Sequence, residues 1–198
     1  MKNLLAASAL TLILAACSPA STDAPATDNV MVANETVPLT PVDPGTPTPA
    51  TGETADANTL TLEGLGALKV GQPVPEDSGW AVRGAQISDA CTTISSPDYP
   101  GVYAIVTDGA VHRISVGQRS DVKLIEGIGP GSTEAEVKAA FPGFRETPHK
   151  YVEGGKYLTA PNADSGDPAV RFELDADGKV TVMHVGTMPV LGYVEGCA

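Results

Sequence analysis

One short pattern occurs twice in this chain of 198 residues, and it limits the available folds more than any other feature. Glu63-Gly64-Leu65-Gly66 is answered by Glu126-Gly127-Ile128-Gly129. Further on, residues 103–111 (Tyr-Ala-Ile-Val-Thr-Asp-Gly-Ala-Val) are answered by residues 172–180 (Phe-Glu-Leu-Asp-Ala-Asp-Gly-Lys-Val). The two echoes keep their order and a similar separation. Self-similarity of this kind marks one supersecondary unit used twice. The units run over about residues 59–121 and 122–195. Together, residues 59–198 are long enough for one compact domain.

Each unit carries a hairpin signal. In the first, residues 102–106 and 111–116 are apolar runs flanking Asp108-Gly109, the dipeptide that turns a hairpin because glycine takes positive φ without penalty. In the second, Val170, Phe172 and Leu174 alternate with Arg171 and Glu173, the period of a half-buried strand. Residues 180–185 return after Asp177-Gly178. The second unit also predicts a helix: Thr133 and Glu136 form a capping box, Val137, Ala140 and Phe141 share one face, and Pro142-Gly143 stops it. At the corresponding place the first unit has Gln72-Pro73-Val74-Pro75, which breaks helices. Its helix is either lost or a short one starting near Glu76. The expected fold class is therefore α+β: two related units, each a short helix with an antiparallel hairpin or sheet, packed as one domain.

The N-terminus has a different character. Lys2 supplies a positive start, residues 4–14 an apolar run, and Ala15-Ala16 small residues before Cys17. This is the plan of a secretory signal peptide. The run is about half of the ~20 residues that span a bilayer. Leu14-Ala15-Ala16-Cys17 resembles the lipobox of bacterial lipoproteins, in which cleavage precedes the cysteine and its sulfur is lipidated. The alternative is an ordinary secretory signal with an incidental cysteine. The lipoprotein reading makes residues 1–16 the signal peptide and Cys17 the lipid-bearing residue. Ser18 after it resembles outer-membrane sorting, which places the domain at the outer membrane facing the periplasm.

Residues 17–58 are rich in Thr, Pro, Ala, Asp and Glu and contain no aromatic residue. Such a segment cannot bury enough apolar surface to offset its ordering entropy. It is expected to be a disordered acidic linker, spanning about 35 Å as a coil and on the order of 125 Å as extended polyproline. The net charge of −12 argues against nucleic acid, whose phosphates require Lys and Arg. It equally argues against docking on anionic lipid heads. Membrane attachment would then come from acyl chains, at about 0.8 kcal/mol per buried CH₂. With Cys17 lipidated, Cys91 and Cys197 remain, and two cysteines in an oxidising compartment are expected to form a disulfide.

The segment from Gly127 through Ser132-Thr133-Glu134-Ala135-Glu136 to Val137 resembles the turn-and-helix of two small envelope folds. These are the small lipoprotein of the outer-membrane barrel-assembly machinery and the tandem α+β units of the β-lactamase inhibitor protein, with Ser132 in place of the usual methionine. The two-unit layout ending in Glu195-Gly196-Cys197 is similar to a group of uncharacterised bacterial lipoproteins. These resemblances imply protein binding and supply no catalytic residues, and fold analogy alone does not set function.

Chemical motifs are sparse. His112, His149 and His184 are scattered without metal-ligand spacing, and His149 reads as an exposed loop residue. Asp175-Ala176-Asp177-Gly178 begins like a calcium loop, but Gly186 stands where an EF-hand needs glutamate. Gly127-x-Gly129-x-Gly131 lacks the Lys-Ser/Thr ending of a phosphate loop. There is no Gly-x-Ser-x-Gly elbow. No catalytic, cofactor or metal residue is assigned. Tyr151, Lys156 and Tyr157, around Gly154-Gly155, are candidate partner contacts, because tyrosine is enriched at interfaces. The expected function is a non-catalytic protein-binding or inhibitor-like module of the cell envelope with an envelope protein as partner. The alternative is a hydrolase or a small-ligand or glycan binder, with a pocket lined by His149, Tyr151 or Asp164.

The anchor is directly testable. Metabolic labelling with a palmitate analogue is expected to mark the wild-type chain and not Cys17→Ser. An unlabelled wild-type protein would contradict the lipoprotein reading.

Overall fold

The computed structural model describes residues 56–86 and 88–197. The signal peptide 1–16, Cys17 and the linker up to residue 55 lie outside the described residues. Among the described residues no helix is long and apolar enough to cross a membrane.

The fold is mostly β, which corrects the α+β expectation of a helix in each unit. Four short strands, β1 (Thr59–Thr61), β2 (Gly64–Leu65), β3 (Leu68–Lys69) and β8 (Lys123–Leu124), form a small sheet in the order β3-β2-β1-β8. The β1–β2 and β2–β3 pairs are antiparallel, whereas β1 and β8 run parallel, with Thr59 opposite Lys123 and Leu60 opposite Leu124. Eight further strands form one antiparallel sheet. They are β4 (Ala81–Val82), β5 (Cys91–Ser95), β6 (Val102–Thr107), β7 (Ala110–Gly117), β9 (Arg145–Pro148), β10 (Lys156–Thr159), β11 (Ala169–Leu174) and β12 (Val180–Gly186). Their order is β4-β5-β6-β7-β12-β11-β10-β9. Two four-stranded meanders thus meet at the β7–β12 pair, where Val182 faces Gly117 and Val185 faces Ile114.

The turns follow their chemistry. Asp108 and Gly109 both have positive φ, 51° and 77°, the requirement of a two-residue hairpin whose twist matches its strands. In the β11–β12 turn the Asp175 carboxylate accepts from the backbone N–H groups of Asp177 and Lys179 at 3.0 and 2.8 Å. Its oxygen is spent on the turn, as the hairpin reading requires.

The single α-helix among the described residues, α1 (Glu134–Ala140), has the expected capping box. Glu136 N–H donates to Thr133 Oγ1 at 3.2 Å, and Thr133 N–H donates to Glu136 Oε2 at 2.6 Å. Val137 is its buried residue, and the helix stops at Phe141 ahead of Pro142-Gly143. The first unit has no counterpart among the described residues. Pro73 and Pro75 remove two backbone donors, Asp77 takes φ 57°, and Ser78 Oγ donates to Pro75 O at 2.6 Å. The segment is a run of turns.

One core fills the space over the inner face of the large sheet. Two transverse rows show how alternation builds it. Ile94, Ala104, Ile114, Val185 and Val170 are paired in sequence across five strands, as are Val102, Val116, Met183, Phe172 and Leu158. All ten are buried. Phe172 has no exposed surface, and its ring lies 5.9 and 5.8 Å from those of Phe141 and Phe144. Burying one such ring contributes about 1.5–3 kcal/mol. Trp80 is buried as well, stacked on Tyr99 at 5.6 Å.

Cys91 and Cys197 are joined by a disulfide with Cα atoms 5.5 Å apart. They are separated by 106 residues, and closing a loop of that size contributes about 4.7 kcal/mol in the chain-entropy treatment.

Candidate functional site

The echo that organises the sequence also builds a cleft. The β1–β2 turn and the turn after β8 carry equivalent dipeptides, Leu62-Glu63 and Ile125-Glu126, each directly ahead of an echoed glycine. Because β1 and β8 pair side by side, the two dipeptides come to the mouth of one cavity of about 430 Å³. Leu60 and Leu124 stand behind them, Phe141 and Phe144 form another wall, and Ala160, Ala169 and Val170 close the back, with Asn162 as a neutral polar group. No Lys, Arg or His lines it. A second hollow of about 400 Å³ shares Leu62, Glu63 and Asn162 and adds Lys69, Val70, Asp167 and Pro168.

Two observations separate this cleft from an ordinary surface dent. Its size lies within the roughly 300–1,000 Å³ of ligand pockets, and its lining is mostly apolar with few polar groups, as such pockets are. Its mouth also keeps two aliphatic side chains in solvent: Leu62 is 41% and Ile125 77% exposed. Glu63 is held below the usual carboxylate range, by a hydrogen bond from Thr61, by a backbone N–H and by the attraction of Lys69. It is ionised at neutral pH.

The outer face of the large sheet carries a different constellation. Ser95, Tyr103, Ser115, His184, Arg171 and Thr159 form one row across six strands. Ser115 Oγ lies 2.8 Å from His184 Nδ1, His184 Nε2 lies 3.1 Å from Glu173 Oε1, and Glu173 Oε2 lies 3.4 Å from His149 Nε2. The residue types match a nucleophile, base and orienting acid. However, Ser115 has no exposed surface and His184 only 2%, so the array serves as a satisfied buried network.

A C-terminal strap covers part of this face. The buried Arg113 donates through Nη1 to the carbonyls of Val190, at 3.1 Å, and Tyr193. Arg171 reaches the Gly192 carbonyl at 3.5 Å. Leu191 is buried against Ala160, Ala163 and Ala169. The strap ends at the Cys91–Cys197 bond, where Thr93 Oγ1 lies 3.9 Å from Cys197 Sγ.

The candidate partner contacts divide. Tyr151 is 59% exposed, with Lys150 Nζ 4.9 Å above its ring. Tyr157 is buried, stacked on His149 at 4.5 Å and covered by the Arg171 guanidinium at 4.0 Å. Lys156 is engaged with Glu134 and Glu146 at 3.2 and 3.0 Å. The three therefore form no common surface. His149 is likewise not an exposed loop residue. Its side chain is 8% exposed, and its Nδ1 accepts from the N–H groups of Tyr151 and Val152 at 3.1 Å. Asp164 pairs with Arg145 at 2.8 Å. His112 Nδ1 meets Thr187 Oγ1 at 3.1 Å. Among the described residues no three His, Cys, Asp or Glu side chains are grouped to hold a metal ion.

No family model matches the chain, and neither a curated protein nor a solved structure matches it. The cleft's chemistry is thus read from its own residues.

The buried network has a pH signature. Burial, reinforced by the charge of Arg113, pushes His184 below its ordinary value of 6.5, against the opposing hydrogen bond to Glu173. Neutral His184 donates Nε2–H to Glu173. Burial alone would raise Glu173, but its bonds to His184 and His149 outweigh that and lower it. A histidine depressed in the folded state binds its proton more readily when unfolded. Its contribution is complete above about pH 6.5 and is lost as pH falls through the folded value. Thermal melts from pH 8 downward are expected to show Tm falling below about pH 6.5, with a shallower fall in His184→Gln. Parallel profiles would contradict this assignment.

Proposed function

We propose that this chain is an envelope lipoprotein, held through lipid on Cys17, whose domain binds a small apolar ligand or the apolar chain of a larger one. The observation that carries the reading is the cleft of about 430 Å³ whose mouth leaves Leu62 and Ile125 in solvent. The disulfide between Cys91 and Cys197 accords with an oxidising compartment. A long linker ahead of the domain would give it reach from the membrane.

This reading takes precedence over a protein partner because of what each requires. A stable protein interface needs on the order of 800 Å² per partner, centred on buried aromatic anchors. Of the two tyrosines that would supply them, Tyr157 is already covered by Arg171 and His149. An apolar ligand needs only a preformed concave site. Removing Leu62 and Ile125 from water would itself supply about 25 cal/mol per Å² covered.

The test is titration of the full mature protein with the uncharged fluorophore N-phenylnaphthylamine. Saturable enhancement with one site per chain is expected. The double variant Leu62→Asp, Ile125→Asp is expected to weaken it at least about tenfold, with little change in Tm because both side chains are exposed. Absence of saturable binding, or unchanged affinity in the double variant, would contradict the proposal.

A further inference from the structure

The apolar cleft and its neighbouring hollow are unequal in charge, and that inequality says which amphiphiles would enter. The cleft is lined by two carboxylates, Glu63 and Glu126, and by no basic side chain. The adjoining hollow adds one further carboxylate, Asp167, and one ammonium, Lys69. Resting on the ligand-binding reading above, we propose that the occupant is an amphiphile with one apolar chain and a cationic head, its chain in the cleft and its head between Glu63 and Glu126.

The two carboxylates are not scattered surface charges. Each directly follows an exposed aliphatic residue, Leu62 or Ile125, and precedes an echoed glycine, and the β1–β8 pairing brings the two copies to one opening. The internal duplication therefore brings two aliphatic-acidic pairs to the lining of one cavity. The opening offers aliphatic and acidic side chains together. Glu63 carries its charge at neutral pH, held in the ionised form by Thr61. Lys69 acts on Glu63 through its charge, but it lines the adjoining hollow and not the cleft. An anionic head would instead meet two carboxylates with no basic group in the lining. Like-charge juxtaposition of that kind discriminates between ligands as effectively as attraction does. The net charge of −12 extends the same preference to the approach.

The experiment compares three detergents of one chain length, each below its critical micelle concentration: dodecyltrimethylammonium, dodecyl maltoside and dodecyl sulfate. Each displaces N-phenylnaphthylamine from the full mature protein. The cation is expected to bind at least about tenfold more tightly than the anion, with the neutral detergent between them. In the double variant Glu63→Gln, Glu126→Gln the cation-to-anion ratio is expected to fall to about twofold or less. Added salt is expected to weaken the cation most, because exposed charges are screened. Equal binding of all three detergents, or a ratio unchanged in the double variant, would overturn the head-group assignment while leaving the apolar cleft in place. Failure of all three to displace the fluorophore, or a fluorophore that never binds, would overturn both.

Discussion

The parallel pairing of β1 with β8 is the contact on which the cleft depends. It sets Leu60 against Leu124 and brings together two segments that lie far apart in the chain. Parallel neighbours cannot be joined by a tight turn; they need a long crossover. Here the connection runs through β2 and β3 of the small sheet and then the whole first meander, β4 to β7. The glycines of the echo make the geometry feasible. At Gly64, with φ 145°, a side chain would run into the Leu68 carbonyl, so the β2–β3 hairpin can close only on glycine. Leu65 and Ile128, the equivalent apolar residues of the two echoes, both turn into the core, leaving Leu62-Glu63 and Ile125-Glu126 at the surface.

The two faces of the large sheet answer different demands. The inner face is apolar and packs under the small sheet and α1. The outer face buries Arg113, Ser115 and His184 and half-buries Glu173, and each unpaired polar group at such depth costs about 1–3 kcal/mol. Hydrogen bonds among them, and from Arg113 and Arg171 to the strap carbonyls, offset most of that cost; among the described residues Arg113 Nε is the one buried side-chain polar atom without a partner. The disulfide fixes the strap over this face. Without it the last residues of a chain usually fray, and Arg113 would lose the carbonyls that satisfy it. The sulfur bridge is thus coupled to the charge inside the sheet.

Much of this was legible in the sequence where the signal was local. Asp108-Gly109, the Asp177-Gly178 return, the Thr133–Glu136 capping box and the alternation of Val170, Phe172 and Leu174 depend on neighbouring residues, and each element lies where those residues predict it. The pairing of Cys91 with Cys197 agrees with what the cysteine count and an export signal imply. What was not legible depends on residues arriving from elsewhere. The edge strand Arg145–Pro148 is exposed throughout, so it has no alternation to read. His149 looks like a loop residue until Tyr157 and Glu173 close on it from two other strands. The repeat implies a helix in each unit, with Pro73 and Pro75 leaving the first one either lost or short from near Glu76; the structure shows a run of turns there, with Asp77 at positive φ. The echo itself was visible, but nothing in it shows that its aliphatic and acidic residues share one opening. Only the β1–β8 register does that.

The ligand site proposed for the duplicated segments stands or falls on whether an apolar molecule occupies the cleft. Methyl-resolved NMR of the full mature protein, titrated with an uncharged apolar ligand, tests it most directly. Shifts are expected to concentrate at the Leu62, Ile125, Ala160 and Ala169 methyls and to saturate together. Shifts centred instead on Val152 and Val194 beside the strap, or none that saturate, would contradict it.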